Sequence, residues 1–162
     1  AILGHEIGHW RLWHTIEGFV ISQLYTFLLF LSFSYFQNSS CLFAAFGFSS
    51  TLSSTLSSTL NKPMPTFVGL LLFMQTYWGP VDKFLTFLLN INSRKNEFAA
   101  DQYSKDLGMA KDLSTGLVKI SVENLGNMVP DWLYSAYHFS HPPVVERCNA
   151  LIDGNDNSKK NK

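Results

Sequence analysis

Hydrophobic and polar positions follow two regimes along this chain. Residues 18–61 contain no Asp, Glu, Lys or Arg, and within them FVISQLYTFLLFLSFSYF, residues 19–36, is apolar almost throughout. As a helix that run is long enough to cross roughly 30 Å of hydrocarbon. The buried helix of a soluble core would be expected to show a charged face over so many turns, and none exists here. A transmembrane helix is therefore expected over residues 19–37, with Gln23 and the serines turned towards other helices. A second apolar stretch, PTFVGLLLFMQTYWGP, covers residues 65–80 and resumes beyond Asp82 and Lys83 as FLTFLLNIN. It predicts a second transmembrane helix over residues 65–91, kinked near 79–80, where Gly79 and Pro80 interrupt the pattern. Asp82 and Lys83 belong near an interface or against a polar cavity, because a charge facing lipid at mid-bilayer is costly.

The flanking segments are of the other kind. Residues 1–18 read as a helix, and residues 92–153 regain charges, glycine punctuation and apolar residues at helical spacing, as in EFAADQYSKDLGMAKDL. Residues 38–64 read as a loop whose SSTLSSTLSSTL, residues 49–60, repeats a four-residue unit. That period is too short for a solenoid, so a flexible, neutral expansion is expected rather than a modified stalk. Residues 154–162, polar throughout, read as a disordered tail. The fold class expected from these helical readings is all-α: an integral-membrane piece with two transmembrane helices and a helical zinc-binding catalytic domain.

Composition sharpens this picture. The 162 residues are 46 % hydrophobic and only 15 % charged, against about 25 % charged in ordinary soluble domains, which favours a lipid bilayer as surroundings. Net charge is zero, so nothing points to nucleic acid. Cys41 and Cys148 lack metal-ligand spacing and read as free thiols. The chain opens on Ala1 with neither a basic n-region nor a cleavage site, four residues ahead of its first candidate ligand, and is expected to be part of a longer protein.

Candidate chemistry lies in the polar flanks. HEIGH, residues 5–9, sets His5 and His9 four apart on one helical face, where both imidazoles reach a single ion. Glu6 stands about 100° round the axis from His5, beside the metal rather than on it, where a general base must stand. His14, five positions beyond His9, drifts off that face and reads as an ordinary exposed histidine. A catalytic zinc takes three protein ligands and keeps one position open. NEFAADQYSKDLG supplies a third: Glu97 reaches the metal, while Asp101, one turn on, accepts a hydrogen bond from the far nitrogen of a ligating histidine. Ala99 and Ala100 allow close helix approach. If His5, His9 and Glu97 share one ion, the chain between them must cross the bilayer an even number of times, and two spans satisfy that. Downstream, HFSHPPVVER holds His141 before a Pro-Pro step, with Arg147 beyond. The prolines stop any helix and aim the preceding residue, so His141 or Arg147 could steady an oxyanion or grip a substrate carboxylate; a rigid turn with surface charges explains them equally well.

HEIGHWRLWHT, FVISQLYTFLLF, NEFAADQYSKDLGMAKDL and DWLYSAYHFSHPPVVERCNAL, in that order, together resemble the type I CaaX prenyl endopeptidase family. The resemblance runs from Ile2 to about Leu151, apart from the repeat. It implies an all-helical membrane zinc metalloprotease of the endoplasmic reticulum, whose seven spans enclose a chamber and which removes the last three residues from farnesylated CaaX proteins. By the same resemblance the zinc ligands are His5, His9 and Glu97, the base is Glu6, and Asp101 supports a ligand. His141 contacts substrate, and Arg147 is a substrate-binding or structural arginine. This chain corresponds to the C-terminal portion, and the repeat stands where relatives have a shorter loop. The terminal KKNK resembles a dilysine signal for retrieval to the endoplasmic reticulum. Two rival readings are a membrane quality-control zinc metalloprotease and a truncated, non-catalytic membrane scaffold.

Overall fold

Described by a computed structural model, residues 1–37 and 66–153 form helices joined by turns, with no strand among them. In chain order the helices are α1 (Ile2–Arg11), α2 (His14–Phe36), α3 (Thr66–Phe73), a π-helical turn (Met74–Trp78), α4 (Gly79–Asp106), α5 (Ala110–Glu123), α6 (Trp132–His138) and α7 (Val144–Asp153). The all-α expectation holds for these residues. Cys41, the repeat at 49–60 and the tail at 154–162 fall outside them; Cys148 is a free thiol.

Contacts divide the chain into two units, Ala1–Phe19 with Leu85–Lys162, and Val20–Phe84. In the first, α1 meets the C-terminal half of α4 along a seam of small residues. A Cβ placed on Gly8 would lie 3.2 Å from both the Cα and the carbonyl oxygen of Ala100, and one on Gly4 would lie 2.8 Å from Met109 Cε. Ala100 and Ser104, one turn apart on α4, are fully buried. Small residues four apart on both helices let the backbones come within reach of each other's short side chains. Leu113 of α5 and Leu151 of α7 supply the apolar core beside this seam.

Local chemistry ends the helices. Gly108, at φ +79, closes α4: its N–H bonds to the Lys105 carbonyl and that of Met109 to the Ser104 carbonyl. That pairing satisfies the last carbonyls of the helix, and only glycine adopts the left-handed conformation without strain. Asp131 caps α6, its carboxylate accepting from the N–H groups of Leu133 and Tyr134. The expected helix over residues 1–18 is instead broken at Leu12 and Trp13, where Trp13 takes a left-handed φ of +64.

In the second unit, aromatic side chains do the packing. Phe73, 1 % exposed, meets Phe33, Phe36 and Trp78. Trp78 Nε1 donates to the Tyr25 hydroxyl, which in turn donates to Asp82. The acidic side chain thus has a polar partner inside an apolar stretch. The π-helical turn falls just before the Gly79–Pro80 step where a kink is expected. Pro80 offers no N–H and crowds the carbonyl four residues back; widening the preceding turn, with the Gly79 N–H bonded to the Met74 carbonyl, accommodates both defects. Among the described residues one helix, His14–Phe36, is long and apolar enough to cross a membrane, and no residue of it is buried.

Candidate metal centre

Three side chains from two distant parts of the sequence converge in the first unit. His5 and His9 face Glu97 from α1, and their ligand atoms all lie within 4.8 Å of one another. The His5 and His9 Nε2 atoms stand 3.1 Å apart. Glu97 Oε2 is 3.5 Å from His5 Nε2, and Glu97 Oε1 is 3.4 Å from His9 Nε2. Ligands held tetrahedrally at the usual zinc distances stand about 3.3 Å from each other, so a zinc-sized cation fits between these three groups.

Behind this triad sits a second layer of polar groups. Asp101 Oδ1 is 2.9 Å from His5 Nδ1. Arg147 grips Asp101 with two parallel bonds, Nε to Oδ2 and Nη2 to Oδ1, both 2.7 Å, and places Nη1 2.9 Å from Glu97 Oε2. Glu97, Asp101 and Arg147 are 5 %, 2 % and 6 % exposed, and charges so deeply placed are tolerable only with partners of this quality. His141 Nδ1 approaches Glu97 Oε1 at 3.1 Å from the open side, its side chain 66 % exposed. The buried Pro142 and Pro143 hold that approach and lead directly into α7, which carries Arg147. Glu6 lies exposed on α1.

Sequence reasoning placed His14 differently from the structure and left Arg147 between a substrate-binding and a structural role. An unbroken helix would carry His14 about 140° away from His9. The left-handed turn at Trp13 reverses that, and His14 Nδ1 lies 3.0 Å from His9 Nδ1. Arg147 lies behind the ligands rather than in an open cleft, and its guanidinium is engaged by Asp101, Glu97 and the edge of His5. No helix-stop signal in RLWHT announces the turn at Trp13, and no spacing rule connects residue 147 to residue 101.

The charges interlock. Burial works against protonation of His5, but hydrogen bonds with Asp101 and Glu97 outweigh it and raise its pKa to about 9. Burial, helped by the neighbouring His5 and His14 and opposed by Glu97, lowers that of His9. Burial would raise the carboxyl pKa of Glu97, yet hydrogen bonds from His141 and His5 and the Arg147 charge hold it well below the usual carboxylate range. Asp101 is likewise held low against its burial by His5 and Arg147. The bond to Glu97 raises His141. Both acids are therefore ionised at neutral pH, as metal-site carboxylates must be.

Comparison with known proteins places this arrangement in a wider group. A profile of peptidase family M48 matches residues 1–153. The human protein named CAAX prenyl protease 1 homolog is 44 % identical over 151 residues, covering 93 % of this chain and 29 % of its own length. The rice homolog is 44 % identical over 161 residues, 99 % of this chain and 34 % of its own. CAAX prenyl protease 1 of Saccharomyces cerevisiae is 36 % identical over 163 residues, 99 % of this chain and 36 % of its own. The crystal structure of S. mikatae Ste24p superposes with a TM-score of 0.76 at 35 % identity, covering 93 % of this chain and 35 % of that one. The chain spans about a third of the length of these relatives.

Proposed function

The chain belongs to peptidase family M48, a metallopeptidase family, and on that premise we propose that it forms the metal-binding portion of a zinc-dependent membrane endopeptidase that removes the C-terminal tripeptide from prenylated CaaX proteins. One observation carries the metal reading. His5 Nδ1 faces Asp101 and His9 Nδ1 faces His14, so in neutral rings both Nδ1 atoms carry the proton and both Nε2 lone pairs point at each other and at Glu97. Two imidazole nitrogens and a carboxylate whose ligand atoms lie within 4.8 Å of one another are a donor set for one cation, which would take the place of the proton that His5 carries without it. Two histidines and a carboxylate, with the fourth side left open, are the donor set of a catalytic zinc.

His5, His9 and Glu97 would hold the ion, which when bound supplies a Lewis acid beside the scissile carbonyl. Glu6, exposed between the two ligand turns, takes a proton from the attacking water and passes it to the leaving amine. His141, tethered to Glu97 through Nδ1, stands on the exposed side, where its Nε2 steadies the oxyanion and contacts substrate. Asp101 fixes the His5 tautomer, and Arg147, of the two roles expected for it, takes the structural one, clamping Asp101 and Glu97. Asp101 is thus a positioning group.

Residues 19–37 and 65–91 serve in this reading as two spans of a multi-pass protein of the endoplasmic reticulum membrane, with residues 92–153 completing the catalytic domain. The exposed apolar surface of α2 supports the first of these spans. The names of the human, rice and yeast relatives support the substrate class. In the full-length protein, Glu6→Gln should retain stoichiometric zinc and lose on the order of 10² to 10⁴ in the rate of farnesylated CaaX peptide cleavage. Cleavage at the parent rate would remove Glu6 from the mechanism. A zinc-bearing protein that degrades unfolded membrane proteins but spares the prenylated peptide would favour a quality-control protease instead. A chain without zinc would favour a non-catalytic scaffold.

A further inference from the structure

The two ligating histidines are supported by unlike groups. His5 Nδ1 has the carboxylate of Asp101 at 2.9 Å, whereas His9 Nδ1 has another imidazole, His14 Nδ1, at 3.0 Å. We propose that His14 is the positioning residue of His9, accepting the His9 Nδ1–H bond and thereby aiming its Nε2 at the ion.

The argument begins with proton accounting. With His9 Nε2 turned towards His5 and Glu97 to donate its lone pair, the one proton of the neutral ring must sit on Nδ1. A proton on His9 Nδ1 leaves His14 Nδ1 as the acceptor, which places the His14 proton on Nε2. Each ring's tautomer thus dictates the other's. The two rings meet nearly edge to face, at an interplanar angle of 70°, so the bond fixes the rotation of His9 about its side-chain torsions as well as its tautomer.

His14 is itself anchored. It opens α2 immediately after left-handed Trp13, and Glu17 follows three residues later. Glu17 accepts from Asn92 Nδ2 at 2.8 Å and from Asn96 Nδ2 at 3.0 Å. Asn96 adjoins Glu97 on α4, so the same helix that carries the third ligand also holds the start of α2 in place. The strained turn at Trp13, costly for a bulky residue, is explained by what it delivers: a nitrogen acceptor behind the second ligand.

This inference rests on zinc being held by His5, His9 and Glu97, and the test separates the two claims. Zinc affinity would be measured by chelator competition on the purified protein in detergent, with melting temperatures taken with and without metal. His14→Phe, which keeps a ring but removes the acceptor, should weaken zinc binding 10- to 100-fold. His14→Asn, whose side-chain oxygen can accept the same proton, should recover most of that loss. The metal-free melting temperature of both should match the parent, with the deficit confined to the zinc-loaded form. Parental zinc affinity in His14→Phe, or equal destabilisation with and without zinc, overturns the assignment. If His14→Phe fails to fold, nitrogen NMR of ¹⁵N-histidine in the zinc-loaded parent decides: His14 protonated on Nε2 supports the role, and on Nδ1 refutes it. An unaltered protein that takes up no stoichiometric zinc would overturn the metal reading and this inference with it.

Discussion

Asp101 shows how much of the centre turns on single side chains. It holds His5 with one oxygen while both its oxygens are gripped by Arg147, so removing it leaves a buried guanidinium and a ligand without its support. Breaking one side of such a pair costs about 3–5 kcal/mol, and loss of a supporting carboxylate weakens metal binding by roughly 10- to 100-fold. Asp101→Ala should therefore show both a lower unfolding midpoint and weaker zinc binding; a variant with only one deficit would separate the clamp from the ligand support. His5 gives a second expectation. Its metal-free pKa near 9 means that at neutral pH a proton occupies the place the ion needs. Zinc uptake at pH 7 should release about one proton, and affinity should climb on the order of tenfold per pH unit up to about pH 9, then level. Titration calorimetry in buffers of different ionisation enthalpy reads the proton directly. The residues proposed as ligands and base, and Asp101 with them, stand in the sequence as residue types at helical spacing. His14 was not legible there, because its approach depends on one backbone torsion at Trp13 that no local pattern encodes.

Among elements, the contact between α1 and α4 decides whether the ligands meet. Gly8→Ala would gain about 1 kcal/mol of helix propensity. Its added methyl group, however, would stand 3.2 Å from backbone atoms of Ala100, which cannot rotate away as a side-chain tip could. Overpacking of this kind costs about 1–3 kcal/mol, so the variant should be net destabilised, and any relief by helix separation should lengthen the distances from Glu97 to His5 and His9. Thermal melting with zinc affinity measured alongside checks this; a more stable variant with unchanged affinity would show that the seam has slack. The small residues at 99–100 pointed to close approach from the sequence alone. Gly8, which faces Ala100, and Gly4, which faces Ser104 and Met109, did not stand out, since glycines within a helix carry no signal until the facing helix is known. Likewise the interruption expected at Gly79–Pro80 appears as a π-helical turn placed ahead of the proline, the ladder absorbing the missing donor by widening.

For the molecule as a whole, the buried set is unusual: in the first unit His5, Glu97, Asp101, Ser104, Ser135 and Arg147 are buried with Ala100, Leu113 and Leu151, and in the second Phe73 and Trp78 are buried. Large apolar side chains instead stand exposed along α2, with Phe19, Phe27 and Phe30 each about 60 % exposed. Burying such surface is worth about 25 cal/mol per Å², a driving force towards lipid or other apolar helices. The protein should accordingly remain with the membrane pellet on alkaline extraction and require detergent to stay dispersed; release into the alkaline supernatant would contradict the bilayer reading. What the amino-acid order determined by itself was everything set by short periodicities: helices, the apolar runs, HEIGH on one face and Glu97 with Asp101 on another. Tertiary structure alone decided that Arg147 meets Asp101 and His5, 46 and 142 positions away, and that His14 turns back to His9. Such meetings depend on how close two backbones come and where a helix breaks, and these are set by packing against partners that no local window contains.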